Sequence, residues 1–277
     1  MRPTVTFLPP ATVSRRSAGR MTPARRLGRA ALLVAVPALL AGCTADPPPA
    51  DPAPPAPTTD PDGAARDRLA ALAAAAQDRH LVARYTFAGA DRRDRTISVT
   101  EATDGGWRVD IPGGALGGTA DIALAGTRDG VFQCALPSAG RSDPPSCVRV
   151  AGPDESVPVG IDPRVQHPFT DARRVLTDRQ APLSVSVGRP LPGVRGSCFA
   201  VESTSASVDP PLDVGIYCYD QDGTLTGARL TFGTLTLVGT PAAAPASVAL
   251  PGPVVSGDPL GPTAPTPTEG EGGTDGG

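Results

Sequence analysis

LVARYTFAG at 81–89, RTISVTEA at 95–102, WRVDIPG at 107–113, TADIALAG at 119–126 and GVFQCAL at 130–136 decide the fold of this chain. In these runs large apolar side chains fall at every second position: Tyr85 and Phe87, Ile97 and Val99, Trp107, Val109 and Ile111, Ile122 and Leu124. A period of two sends successive side chains to opposite sides of a pleated strand, so the runs have one apolar and one polar face. Turn residues separate them, among them Asp104-Gly105-Gly106 and Asp129-Gly130, the second a candidate two-residue hairpin. The reading is an antiparallel meander.

Outward from the meander the period changes. Before it, Ala64 to Arg79 (AARDRLAALAAAAQDR) is dense in the best helix former, with Asp62 placed as a cap and Leu69 and Leu72 on one side. After it, Asp162 to Asp178 (DPRVQHPFTDARRVLTD) offers Val165, Phe169, Val175 and Leu176 for burial around Pro168, which predicts one broken helix or two short ones. Strands then resume in LSVSVGR, SCFAVESTSA, LDVGIYCYD and GTLTGARLTFGTLTLVG, with Asp222-Gly223 closing the hairpin between the last two. The expected order is helix, about six strands, helical insert, about four strands: an α+β domain over residues 64–247.

The two ends are compositionally different from this body. Arg15, Arg16, Arg20, Arg25, Arg26 and Arg29, with no acidic residue before position 43, precede the apolar run Ala30 to Ala41. That run is a dozen residues where a membrane-spanning helix needs about 20, so residues 1–42 read as a signal segment. Met21 stands directly before a complete shorter signal, so translation from Met1 or Met21 stays open. The pairs Arg15-Arg16 and Arg25-Arg26 leave Sec and twin-arginine export both open. Leu40-Ala41-Gly42-Cys43 resembles the lipobox of bacterial lipoproteins. The resemblance implies cleavage before Cys43, a diacylglyceryl group on its thiol, and the membrane as partner through acyl chains. Two or more chains anchor stably where one does so marginally. Residues 43–63 follow as a Pro-rich acidic tether, and residues 248–277, rich in Pro, Gly and Thr, as a disordered tail.

Charge and cysteines fit export. There is no lysine, and seven of the 25 basic residues precede Cys43, leaving 18 against 28 acidic residues. That balance argues against nucleic acid and against an electrostatic grip on anionic lipid. The heavy use of Ala, Gly, Pro and Arg resembles the coding bias of a GC-rich genome. Five cysteines become four once Cys43 carries lipid. Cys134, Cys147, Cys198 and Cys218 can pair in three ways; Cys134–Cys147 and Cys198–Cys218 are favoured because each pair flanks a turn-rich segment between neighbouring strands. A zinc site is disfavoured, since no C-x-x-C spacing occurs.

The leading helix before YTFAG, the WRVDI strand, the mid-chain insert and the closing CYDQDGTLTGARLTFGTLTLVG together resemble the LolA-like fold of periplasmic lipoprotein carriers and of the LppX/LprG type of actinobacterial lipoprotein. The likeness covers residues 64 to 240 and is one of architecture. It implies a long antiparallel sheet curled into a half-barrel, with the N-terminal helix and the insert covering the concave face and enclosing an apolar cavity. Trp107, Val109, Ile111, Ile122, Leu124, Val165, Phe169, Val175 and Leu176 would line it. It also implies attachment at the extracytoplasmic face of the cell membrane. The chain departs from the family pattern in its 4% aromatic content and its four body cysteines.

Groups for chemistry are sparse. His80 closes the first helix, where a histidine suits the dipole, and His167 precedes Pro168, a solvated position. Ser197 lacks the G-x-S-x-G elbow. Asp162, Asp171 and Asp178 read as a wet helix face, and Asp220-Gln221-Asp222-Gly223 and Asp91/Asp94 lack the calcium-loop pattern. Ile111 to Gly118 lacks the lysine of a phosphate loop and reads as a connection placed to gate a cavity mouth. Arg92, Arg93, Arg95, Arg173 and Arg174 read as exposed partners of Asp91, Asp94, Asp171 and Asp178. The expectation is a monomeric, non-enzymatic lipoprotein without cofactor or metal, holding a lipid or other hydrophobic ligand. The alternatives are a solid-cored protein that docks an envelope partner and, last, a hydrolase using Ser197 or His167.

Overall fold

The computed structural model describes residues 61–89, 94–205 and 212–263. Helix α1, Pro61–Gln77, begins three residues before the expected start, with proline at the first turn, where its missing N–H costs nothing. Ala65, Leu69, Ala73 and Ala76, spaced by three or four, are buried along one face. Alanines let α1 lie close to the elements beneath it, and Arg66 donates to the carbonyls of Leu183 and, at 2.7 Å, Ala181.

Strands β1 Leu81–Gly89, β2 Arg95–Glu101, β3 Trp107–Ala115, β4 Ala120–Thr127, β5 Gly130–Ala135 and β6 Ser146–Ala151 follow, then β7 Leu183–Val187, β8 Ser197–Ser203, β9 Gly215–Tyr219, β10 Leu225–Leu230 and β11 Gly233–Ala243. They form one curved, open antiparallel sheet of 11 strands in the order β6-β5-β4-β3-β2-β1-β11-β10-β9-β8-β7. Each strand neighbours the next in sequence except at one place: β6 and β7 are the two edges. The chain between them therefore crosses the whole width of the sheet. That crossing holds 3-10 turns at Val159–Ile161 and His167–Phe169 and the short helix α2, Asp171–Thr177. The broken helical insert is thus present, and Val165, Phe169, Ala172 and Leu176 join the main apolar cluster of the sheet.

Alternation is borne out on the central strands: Leu81, Ala83, Tyr85 and Phe87 of β1 and Ile97 and Val99 of β2 are all buried. Three details differ from expectation. SCVRVA, the sixth strand, implied only by the Cys134–Cys147 pairing and by no alternation of its own, is edge strand β6, its weak pattern reflecting an exposed position with Arg149 facing solvent. The single run GTLTGARLTFGTLTLVG is two strands joined at Thr231-Phe232. The β4–β5 turn is Arg128-Asp129, one residue earlier than expected, because Thr127 pairs with Gly130. Asp222-Gly223 closes the β9–β10 hairpin, Gly223 at φ +84°.

Both favoured disulfides are present. Cys134 pairs directly with Cys147 across β5 and β6, and Cys198 with Cys218 across β8 and β9. Each lies in a small apolar cluster separate from the main core, one with Ala123, Phe132 and Leu250, the other with Leu191, Val194 and Ile216. They staple the two outlying hairpins near the sheet edges. Replacing both members of either pair by alanine is expected to lower stability by about 3 kcal/mol, the loop-closure value for 13 or 20 residues, as read by urea unfolding.

The tail expected to be disordered from residue 248 is instead a strap as far as Pro262. Thr103 and Asp104 N–H donate to Pro245 and Ala246 at 3.0 and 3.1 Å. Leu250 covers the outer disulfide cluster, and Val254 bridges Cys147 in parallel beside edge strand β6. Leu260 then exchanges two hydrogen bonds with the Gln133 side chain, 2.6 and 2.8 Å, and Leu116 and Gly117 donate to Gly261 and Pro262. The strap turns round the β6 edge, covering backbone that would otherwise template strand addition. The body therefore runs from Pro61 to Pro262, and residues 264–277 lie outside the described residues.

Candidate binding cleft

The residues proposed to line a cavity are mostly packed against one another. Val109, Ile111, Ile122 and Leu124 are fully buried, and Val165, Phe169 and Leu176 meet them in the same cluster, with Trp107 and Val175 at its margin. Phe169 stacks obliquely on Tyr85 of β1, ring centroids 4.9 Å apart. The middle of the sheet is thus a filled core; of the nine residues, Trp107 and Phe169 border one hollow and Ile111 and Val165 a second, while Val109, Ile122, Leu124, Val175 and Leu176 line neither.

Space opens instead at one end. A half-open cleft of about 1180 Å³ lies where the ends of β2 and β3, the β4–β5 turn, the insert and the strap converge. Trp107, Val131, Phe132, Val157, Phe169 and Val248 give it apolar wall. Arg79, Arg128, Arg174, Asp129, Glu155 and Asp171 are among the polar residues that line it, and His80 lines it too, exposed beyond the end of α1.

At its buried part are Glu101 and Arg173, 6% and 8% exposed. Glu101 is in phase with Ile97 and Val99, which turns its carboxylate inward from the end of β2. Arg173 reaches it from α2, pairing through Oε1 and donating from Nη1 to the Ala76 carbonyl at 3.0 Å. Arg173 is therefore not the exposed partner of an insert carboxylate; Arg174 is, bonding Asp171 at 2.9 Å. Burial pushes the Glu101 carboxyl above its ordinary range, against the pull of the Arg173 guanidinium. Glu101 Oε2, Arg173 Nε and the Tyr219 hydroxyl are buried without hydrogen-bond partners. Each such atom costs about 1–3 kcal/mol. Tyr219 feels the charge of both, and burial pushes its hydroxyl up to about 12.

A second, smaller hollow of about 330 Å³ is lined by Phe87, Arg95, Gly113, Gly114, Val165 and Phe232. Ile111 to Ala115 of the glycine-rich stretch continues β3, so that only Leu116–Gly118 connects it to β4; Gly113 and Gly114 border the hollow, and the stretch is tied down where a mobile gate was expected. Arg95 donates to the carbonyls of Pro112 and Gly113, Asp121 accepts from Gly113 N–H at 2.7 Å, and the strap takes the N–H groups of Leu116 and Gly117.

Asp162, read as part of a wet face, lines that hollow and is one arm of a clasp. His167 contacts Asp162 Oδ2 through Nε2 at 2.7 Å and Asp213 Oδ2 through Nδ1 at 2.5 Å; Arg164 also pairs with Asp213. Tyr217 donates to the Asp213 carbonyl at 2.6 Å. The clasp ties the insert to the start of β9, so His167 is structural where a solvated role was expected. Asp213 is 46 residues away, a partner that no local pattern reveals.

Ser197 begins β8 and its hydroxyl accepts from Arg68 at 2.9 Å. Asp178 caps a turn through the Gln180 N–H, and Asp220 bonds Arg195 at 3.0 Å. Among the described residues no group of three or more His, Cys, Asp or Glu side chains has metal-holding geometry, and no helix is long and apolar enough to cross a membrane. Cys43, Asp91, Arg92 and Arg93 lie outside the described residues. No family model, curated protein or solved structure matches the chain.

Proposed function

We propose that the chain is a non-enzymatic lipoprotein, anchored by acyl chains on Cys43 at the extracytoplasmic face of the membrane, whose body receives a hydrophobic or amphiphilic envelope molecule in the cleft at the ends of β2 and β3. The single observation that carries the binding role is the cleft itself. It is comparable in volume to ligand sites, walled by Trp107, Phe132 and Phe169, and floored by a buried charge pair with unused hydrogen-bonding atoms. The anchor rests on Leu40-Ala41-Gly42-Cys43 and on the fact that the other four cysteines pair among themselves, consistent with an oxidising compartment.

The finer architecture proposed is the LolA-like half-barrel, which the helical crossing over one face of a curved meander supports. Its cargo space is displaced to one end, because Phe169 and Leu176 fill the middle. The flush packing also favours a second reading, in which a solid body docks an envelope protein through the cleft.

Trp107 is the chain's one tryptophan and stands in the cleft wall, so intrinsic fluorescence reports occupancy directly. Titrating an acyl probe into the secreted full chain carrying Cys43→Ser is expected to change Trp107 emission saturably. A flat titration, with no lipid on protein taken from the producing cell, transfers the case to the docking reading.

A further inference from the structure

The buried part of the cleft has a donor and acceptor pattern specific enough to choose among headgroups. Glu101 is the cross-strand partner of Trp107, and Arg173 follows Phe169 by four residues, so an aromatic ring accompanies each half of the ion pair. One oxygen of Glu101 and one nitrogen of Arg173 remain unused, an acceptor and a donor on a pair whose charges cancel. A carboxylate headgroup placed there gains Arg173 but meets Glu101. An ammonium gains Glu101 but meets Arg173. A hydroxyl donates to Oε2 and accepts from Nε, bringing no charge into a desolvated place.

On the reading of the cleft as a ligand site, we propose that Glu101 and Arg173 form a headgroup subsite selecting an uncharged, hydroxyl-bearing amphiphile of the acylglycerol class over fatty acids and alkyl amines. The chain lies along Trp107 and Phe132 toward the mouth. Glu101 and Arg173 each supply one direct bond; the rim arginines and carboxylates stay in water.

The test follows Trp107 emission while the full chain with Cys43→Ser is titrated at pH 8 with monooleoylglycerol, oleate, oleylamine or glycerol. Monooleoylglycerol is expected to bind roughly tenfold more tightly than either charged analogue, one hydrogen-bonded headgroup's worth of discrimination. Glycerol alone is expected to give no saturable change; saturation by glycerol keeps the headgroup subsite and overturns the amphiphile. In Glu101→Gln the guanidinium loses its counter-charge, and oleate is expected to overtake monooleoylglycerol. A general loss of packing lowers all affinities together and does not reverse their order. If Glu101→Gln does not fold, the ranking in the unsubstituted chain decides. Equal affinity for all three oleyl compounds overturns the headgroup subsite while leaving the cleft a binding site. No saturable change with any of them overturns the cleft reading itself.

Discussion

Arg173→Met is expected to destabilise the body by about 3–5 kcal/mol at pH 8, measured by urea unfolding, because it leaves the Glu101 carboxylate buried with no counter-charge. The pair lies 10% and 8% exposed at the side chains, so water does little to screen the loss. The cost should depend on pH in a defined direction. Glu101 has a folded value raised above its ordinary 4.5, chiefly by burial. A carboxyl raised in this way holds its proton more tightly folded than unfolded. Its contribution is therefore full below the ordinary value and lost as pH rises through the folded one. Removing Arg173 removes the force opposing that rise, so the penalty shrinks on acidification toward pH 5 and grows toward pH 8. A penalty that is small and flat with pH would mean that the carboxylate reaches water in the cleft. The same substitution also detaches α2 from the Ala76 carbonyl, so the linking of α1 to the insert weakens with it.

His167→Ala has the second largest expected effect, about 3 kcal/mol at neutral pH, since it leaves two shielded carboxylates facing each other across an empty ring position. Arg164 still compensates Asp213 in part, which keeps the cost below that of Arg173→Met. Here the sign with pH is opposite. Burial pushes the Asp162 carboxyl up, but bonds from His167 and Gln166 outweigh it and hold the group below its ordinary 3.8. A lowered carboxyl contributes stability above its unfolded value, lost as pH falls through the folded one. The difference between parent and variant should therefore be full at pH 7 and fade below pH 4, as followed by thermal unfolding over that range. Equal losses at pH 3 and pH 7 would place the effect in packing around Pro168 rather than in charge.

The sheet was largely legible because its signal is local. Tyr85/Phe87, Ile97/Val99 and Ile122/Leu124 alternate within a single strand, and Cys134/Cys147 flank one turn. Edge strand β6 was legible only through Cys147, the partner of Cys134 across that turn, since an edge needs neither alternation nor many apolar residues. The strap was hidden by composition. Pro, Gly and Ser suggest freedom, yet Leu250 and Leu260 are enough to fix the segment when a sheet edge and Gln133 lie ready to receive it.

The cleft was illegible for a different reason: its parts come from β2, the β4–β5 turn, the insert and the strap. One signal was available. Glu101 follows Ile97 and Val99 at spacing two, so a charged side chain points toward the apolar side, and a buried charge implies a partner. Counting parity along RTISVTE would have found it. No spacing rule would have supplied Arg173, which lies within the insert, on α2.

Native mass spectrometry of the full chain carrying Cys43→Ser, collected from the medium of cells that make it, tests the binding claim most directly. One amphiphile per chain, released when Trp107 and Phe169 are replaced by alanine, is the result the account predicts. A bare polypeptide mass, unchanged on incubation with acylglycerol or fatty acid, would contradict it.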